Sequence, residues 1–142
     1  MNVADIQKLH AQMVKTKFEL GTLASNITDQ KSYDNSNVVK VVTKESLDNS
    51  QFPEAINFAR KLNDKPKNTY KHLGIYCYKL KTLEKFVSLN QTSNEIKYKL
   101  EQLRALDNEI KINVAFAESS PIGVDTKEDF VAIKKIMEYK SK

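Results

Sequence analysis

From Val3 to Phe18 apolar side chains return every three or four positions, with Val3, Ile6, Met13 and Phe18 near one face, which predicts an amphipathic helix. Gly21 reads as its stop, and Leu20 to Ile27 as a strand. Asp29 to Ser36 is turn-like and leads into Asn37-Val-Val-Lys-Val-Val42. That β-branched run between polar residues predicts a buried strand. Lys44 to Pro53 reads as a loop, and Ala55 to Arg60 fits strand or helix. Lys61 to Thr69 is polar, contains Pro66 and reads as a surface loop. Tyr70 to Lys79 is the clearest strand of the chain. Leu80 to Leu89 and Ser93 to Asn108 predict two helices, the second with Ile96, Leu100, Leu103 and Leu106 turned inward. Ile110 to Ala117 alternates, with Ile110, Ile112, Val114 and Phe116 facing one way. A turn at Ser119 to Gly123 precedes a last helix, Lys127 to Tyr139, with Phe130, Ile133 and Ile136 or Met137 inward.

Strands alternating with helices argue for an α/β layered fold. No Pro- or Gly-rich linker interrupts the pattern, so residues 1–142 read as a single unit of ordinary domain size. No apolar run approaches the roughly 18 residues of a membrane span. The first helix carries Asp5, Lys8, His10 and Lys15, which is unlike a signal peptide. A cytoplasmic protein is expected.

Charge adds little. The formal balance of +5 invites a basic binding module for nucleic acid or an acidic partner. The lysines, however, are spread among 18 acidic residues and form no dense basic block, which argues against nucleic acid. Arginine usage is more pointed. Two arginines, Arg60 and Arg104, stand against 21 lysines, and a chain that defaults to lysine keeps arginine where planar, bidentate geometry matters. The single cysteine, Cys77, lies in the apolar run Leu73 to Tyr78 and reads as a core residue.

Candidate chemistry falls in three places. On the strand from Tyr70, the side chains of His72, Gly74, Tyr76 and Tyr78 share one face, and Leu73, Ile75 and Cys77 the other. At the usual rise His72 and Tyr76 lie about 13 Å apart, enough to flank a sugar-sized ligand over the gap left by Gly74. A solvated face with a hydrogen-bonded histidine fits the same spacing. On the second long helix, Glu101 and Gln102 can bond sugar hydroxyls, or serve as ordinary surface groups. Asp125 sits in Gly123-Val-Asp-Thr-Lys-Glu-Asp129, either as a metal carboxylate or within a helix-capping pattern. The chain has three glycines and no phosphate-cradling loop.

Taken together these strings resemble those of the 3-deoxy-manno-octulosonate cytidylyltransferases (CMP-Kdo synthetases). Tyr70-Lys-His-Leu-Gly-Ile-Tyr-Cys-Tyr78 is similar to their Y-x-H-I-G-I-Y-A-Y. Leu83 to Leu89, Leu100-Glu-Gln-Leu-Arg-Ala-Leu106 and Gly123 to Asp129 follow in the family's order. Upstream, Asn35-Ser-Asn-Val-Val-Lys-Val-Val42 resembles N-x-N-V-V-K-V-V. The resemblance implies the C-terminal portion of a nucleotide-diphospho-sugar transferase fold, a Rossmann-like mixed sheet. It also implies a nucleotidyltransferase reaction in which CTP and Kdo give CMP-Kdo and pyrophosphate for lipopolysaccharide biosynthesis. Carried over, His72, Tyr76, Glu101, Gln102 and Arg60 would line the Kdo pocket, and Asp125 would hold Mg2+. The Arg60 match is looser, because the string here is Phe58-Ala-Arg60 where the family has F-S-R. The family's R-L-P-x-K-P-L and V-Q-G-D strings do not occur in this sequence. The expectation is therefore a chain inactive alone, which forms a homodimer or associates with a separate N-terminal half. Sheet surface such as Val38 to Val42 is then expected to be uncovered and to drive association.

Overall fold

Among the described residues, the β-branched and aromatic runs pair into one five-stranded mixed sheet. The computed structural model describes residues 3–48, 51–118, 131 and 134. The elements run α1 (Val3–Lys15), β1 (Leu20–Ser25), α2 (Gln30–Asp34), β2 (Lys40–Thr43), β3 (Ala55–Ala59), β4 (Thr69–Tyr78), α3 (Leu80–Ser88), α4 (Ser93–Tyr98), α5 (Leu103–Asp107) and β5 (Asn113–Phe116). The strand order is β3-β2-β4-β1-β5. Only the β1–β5 pair is parallel. The two outer strands are also tied to each other. Residues just before and at the start of β3 bond to β5 and the residue before it, through Ala55 N–H to the Ile112 carbonyl (2.7 Å) and Val114 N–H to the Pro53 carbonyl (2.8 Å).

Both faces of the sheet are covered, as alternation requires of strands apolar on both sides. On one face Leu23, Leu73, Ala115 and Ala117 pack against Leu9 and Met13 of α1, with Ile75 and Cys77 half-buried beside them. On the other, Leu20, Ala24, Val41, Phe58, Ile112 and Val114 meet Phe86, Leu100 and Leu103 from the α3–α5 layer. The expected division of β4 into two faces therefore holds, as does the inward set Ile110, Ile112, Val114 and Phe116.

Four expectations are corrected. The first helix stops at Lys15, and its buried residues are Asp5, Leu9 and Met13, one every four positions. Val3, Ile6 and Phe18 are exposed instead. Gly21 is not a helix stop but a strand residue under α1. A Cβ there would come within 2.9 Å of Leu9 Cδ1 and Met13 Sδ and 3.0 Å of Phe52 Cζ, so its absence lets the helix close on the sheet. The segment Ser93 to Asn108 is two short helices, because Lys99 takes a left-handed backbone (φ 55°) that ends α4. That break turns Leu100 into the core and leaves Ile96 outside. Finally, β2 is not uncovered: it pairs with β3 on one side and β4 on the other. The last expected helix, Lys127 to Tyr139, falls largely outside the described residues.

Gly21→Ala is expected to lower stability by about 1–3 kcal/mol, the usual cost of overfilling a packed site. Urea denaturation of the two proteins checks this, and an unchanged midpoint would contradict the close approach.

Candidate functional site

The site begins with an irregularity in β4. Thr22 of β1 lies opposite Tyr76, and its neighbour Leu23 lies opposite Leu73, so Gly74 and Ile75 have no partners across the pair. Two extra residues make a bulge that shortens the strand yet keeps each side chain on its original face. The Thr22 hydroxyl fills it, 2.6 Å from the Ile75 carbonyl, 3.2 Å from the Leu73 carbonyl and 2.9 Å from His72 Nε2. Thr22 has one proton, and the two carbonyls can only accept. It therefore donates to a carbonyl, and His72 donates its Nε2–H to Thr22. This assigns the neutral tautomer and leaves Nδ1 an acceptor. Burial pushes the His72 imidazole down to about 4 from its ordinary 6.5, so it is neutral at pH 7.

The bulge also overturns the 13 Å spacing. The His72 and Tyr76 ring centroids are 5.5 Å apart, so the pair forms one surface and not the two sides of a gap. No heavy atom lies within 4 Å of where a Gly74 Cβ would stand, so that position is open. Phe58 meets His72 edge-on at 4.9 Å, and Tyr76, Tyr78 and Phe86 continue the row at 6.1 and 5.9 Å. Burial raises the Tyr76 phenol far above its usual range, with Tyr78 and Glu101 adding to the effect, so it stays protonated.

Arg104 closes the row, its guanidinium 4.7 Å over the Phe86 ring. It donates Nε–H and Nη2–H to the two oxygens of Glu95 at 2.8 and 2.6 Å. Glu95 also completes a capping box with Thr92 at the start of α4. Thr92 and Asn94 in turn donate to Asp107 of α5, at 2.6 and 3.1 Å. These bonds hold α4 against α5 and fix the turn between them, which carries Glu101 in solvent and Gln102 buried. Sequence reasoning assigned Arg104 no partner, and Thr22 gave no signal at all, since its role exists only opposite the bulge.

Arg60, just past β3, donates from Nη1 to the Ser36 carbonyl (3.3 Å) and from Nη2 to the Lys99 carbonyl (3.2 Å). Two of its five donors are thus engaged, by carbonyls and not by a carboxylate. It stands in the wall of a cavity of about 1000 Å3 with Lys61, Lys97 and Lys99, opposed by Asp64 and Asp107. Phe58 lies in the same wall, so His72 stands one ring behind it. Glu101 faces a separate hollow with Lys99 and Arg104. The structure thus brings His72 to Tyr76 and links Arg60 to the turn before Glu101 and Gln102. Asp125 lies outside the described residues. Among those described, no three His, Cys, Asp or Glu side chains gather to hold a metal. None of the described helices is long and apolar enough to cross a membrane.

The chain is similar to known proteins in sequence and in fold. A family model described as Cytidylyltransferase matches residues 2–112. The 3-deoxy-manno-octulosonate cytidylyltransferase of Bartonella tribocorum is 38% identical over 122 residues, covering 84% of this chain and 49% of that protein. Its counterpart in Rhizobium meliloti is 40% identical over 120 residues (84% and 47%), and that of Afipia carboxidovorans 36% over 137 residues (94% and 54%). A solved structure of CMP:2-keto-3-deoxy-manno-octonic acid synthetase complexed with CTP superposes with a TM-score of 0.81 at 25% identity. It covers 99% of this chain and 58% of that one. The chain spans about half the length of the curated relatives it matches.

Two outcomes follow from the site's electrostatics. Arg104→Ala leaves the Glu95 carboxylate buried without its partner and is expected to cost about 3–5 kcal/mol, measured by urea denaturation. A loss below about 1 kcal/mol, the range of exposed pairs, would refute a buried bidentate pair. His72 is protonated more readily unfolded than folded, so stability is full above pH 6.5 and falls as pH drops toward 4. The total loss from this group is up to about 3 kcal/mol. His72→Gln, which keeps a donor for Thr22, should flatten that part of the pH profile.

Proposed function

The chain belongs to the cytidylyltransferase family, and on that footing we propose that its residues hold the acidic sugar in the reaction of CTP with Kdo that gives CMP-Kdo and pyrophosphate. The observation that carries this reading is the Arg60 cavity. Four cations against two acids suit a ligand with a carboxylate, and the volume of about 1000 Å3 admits an eight-carbon sugar. A guanidinium offers two parallel N–H donors to a carboxylate. Arg60 keeps three of its five after bonding Ser36 and Lys99.

In this reading Arg60, with Lys97 and Lys99 beside it, neutralises and orients the sugar carboxylate. Glu101, on a neighbouring hollow, and Gln102, buried, lie outside this cavity and act on it through the turn they share with Lys99. His72 and Tyr76, both uncharged at neutral pH, support the wall through Phe58 and fix its shape. Neither is an acid or base in the reaction: His72 is not an imidazolium near pH 7 and is a weak base, its one N–H is held by Thr22, and the Tyr76 phenol does not release its proton. The anomeric hydroxyl of Kdo attacks the α-phosphorus of CTP, and positioning is the contribution these residues make.

Magnesium would rest on Asp125 and the nucleotide phosphates, a donor set typical of that ion, where it offsets phosphate charge. The chain associates as a homodimer or with a separate N-terminal half, and only such a half, bearing phosphate-binding loops, would complete the CTP site. Use of CTP assigns the work to the cytoplasm.

Calorimetric titration with Kdo tests the sugar site directly. Binding is expected for the wild-type chain and a loss of about tenfold or more in affinity for Arg60→Ala, the scale of a charge-assisted hydrogen bond. No Kdo binding by the wild type, or equal binding by the variant, would overturn the assignment. Incubation with CTP, Kdo and Mg2+ is expected to release no pyrophosphate from this chain alone. Clear turnover would show that these residues also hold CTP.

A further inference from the structure

Lys40, at the start of the inner strand β2, is fully buried. An ammonium is strongly hydrated, and an apolar residue would fill the same strand position without its desolvation cost. Among the described residues its nitrogen forms no ion pair, although Asp34 is nearby. It donates instead to two backbone carbonyls, that of Asn35 at 2.7 Å and that of Arg60. Arg60 forms part of the cavity wall, as does Ser36, the residue that follows Asn35. The Arg60 guanidinium then reaches back to the Ser36 carbonyl, so one buried cation closes a loop of bonds around that corner. The cavity's own lysines are Lys61, Lys97 and Lys99, and Lys40 is not among its walls.

We propose that Lys40 is a positioning residue for the sugar site: by gripping the Asn35 and Arg60 carbonyls from beneath, it sets the direction in which Arg60 meets the ligand's carboxylate. The inference rests on Arg60 facing an acidic ligand, as proposed above. The site also explains the choice of side chain. Two carbonyls from separate loops converge on a point inside the sheet, and a lysine can reach it with several donors. Burial lowers the pKa of Lys40, Asp34 nearby favours its charged form, and Arg60 and Lys61 oppose it.

The chain's two arginines make the test direct, because the arginine Nε–H region of an NMR spectrum then holds two signals. In Lys40→Met the Arg60 signal is expected to move to the position of a free side chain, while that of Arg104, held on Glu95, stays. Kdo affinity is expected to fall about tenfold, as for Arg60→Ala. The double variant K40M/R60A should bind no more weakly than R60A alone, since Lys40 acts through Arg60. An unmoved Arg60 signal, or losses that multiply in the double variant, would overturn the proposal. If Arg104 moves too, K40M has lost its fold, and the wild type decides instead. Couplings across hydrogen bonds from Lys40 Nζ to the Asn35 and Arg60 carbonyls support the grip, and their absence removes it. A wild-type chain that binds no Kdo counts against the proposed function, and the Arg60 signal alone then judges the role of Lys40.

Discussion

The site depends on a hydroxyl in a bulge. Where β4 carries two residues too many, carbonyls lose their regular strand partners, and a buried carbonyl left unbonded costs about 1–3 kcal/mol. Thr22 meets that need with the Ile75 and Leu73 carbonyls and has an oxygen lone pair left for His72. One residue on a neighbouring strand thus compresses β4, fixes the tautomer of a histidine and brings that histidine against Tyr76. Had the bulge held one extra residue, every side chain beyond it would have changed faces. With two, Leu73, Ile75 and Cys77 remain with α1, and the aromatic row stays whole on the other side.

The helical layer over that row is held by polar bonds more than by helix length. α3, α4 and α5 have nine, six and five residues, too few to be stable as isolated helices. What fixes them is Phe86 and Leu103 in the core, and the Arg104–Glu95 fork above Phe86. Rigid support of this kind suits a binding turn, since Glu101 and Gln102 belong to no long helix. Arg60 joins the same turn from the sheet side through the Lys99 carbonyl, so sheet and helices agree on where the turn sits.

Much of this was legible in the residues. The faces of β4, the inward set from Ile110 to Phe116 and the special placement of two arginines followed from period and chemistry. Arg104 is indeed in a planar two-point bond, and Arg60 spans two carbonyls. The rest was not legible, for identifiable reasons. A bulge is a relation between two strands, and neither Tyr70 to Lys79 nor Leu20 to Ile27 carries a mark of it alone. The break at Lys99 interrupts a run whose apolar period reads as one continuous helix. Lysine has no special liking for a left-handed backbone, so only the burial of Leu100 and the fork at Arg104 enforce it. In α1 the period pointed to the face of Val3, Ile6, Met13 and Phe18, whereas the missing Cβ of Gly21 admits the one bearing Leu9 and Met13.

The pairing of β1 with β5 has a consequence for how the chain comes into being. β1 is made before both of its neighbours, which are β4 and β5, the last strand described. Contacts so distant along the chain are slow to form, because much backbone must be ordered before they bring any return. On a ribosome the first strand would emerge long before either partner. Until β5 follows, the apolar side chains of Leu20 and Leu23 have no settled place, and nascent chains in that interval are natural clients for chaperones.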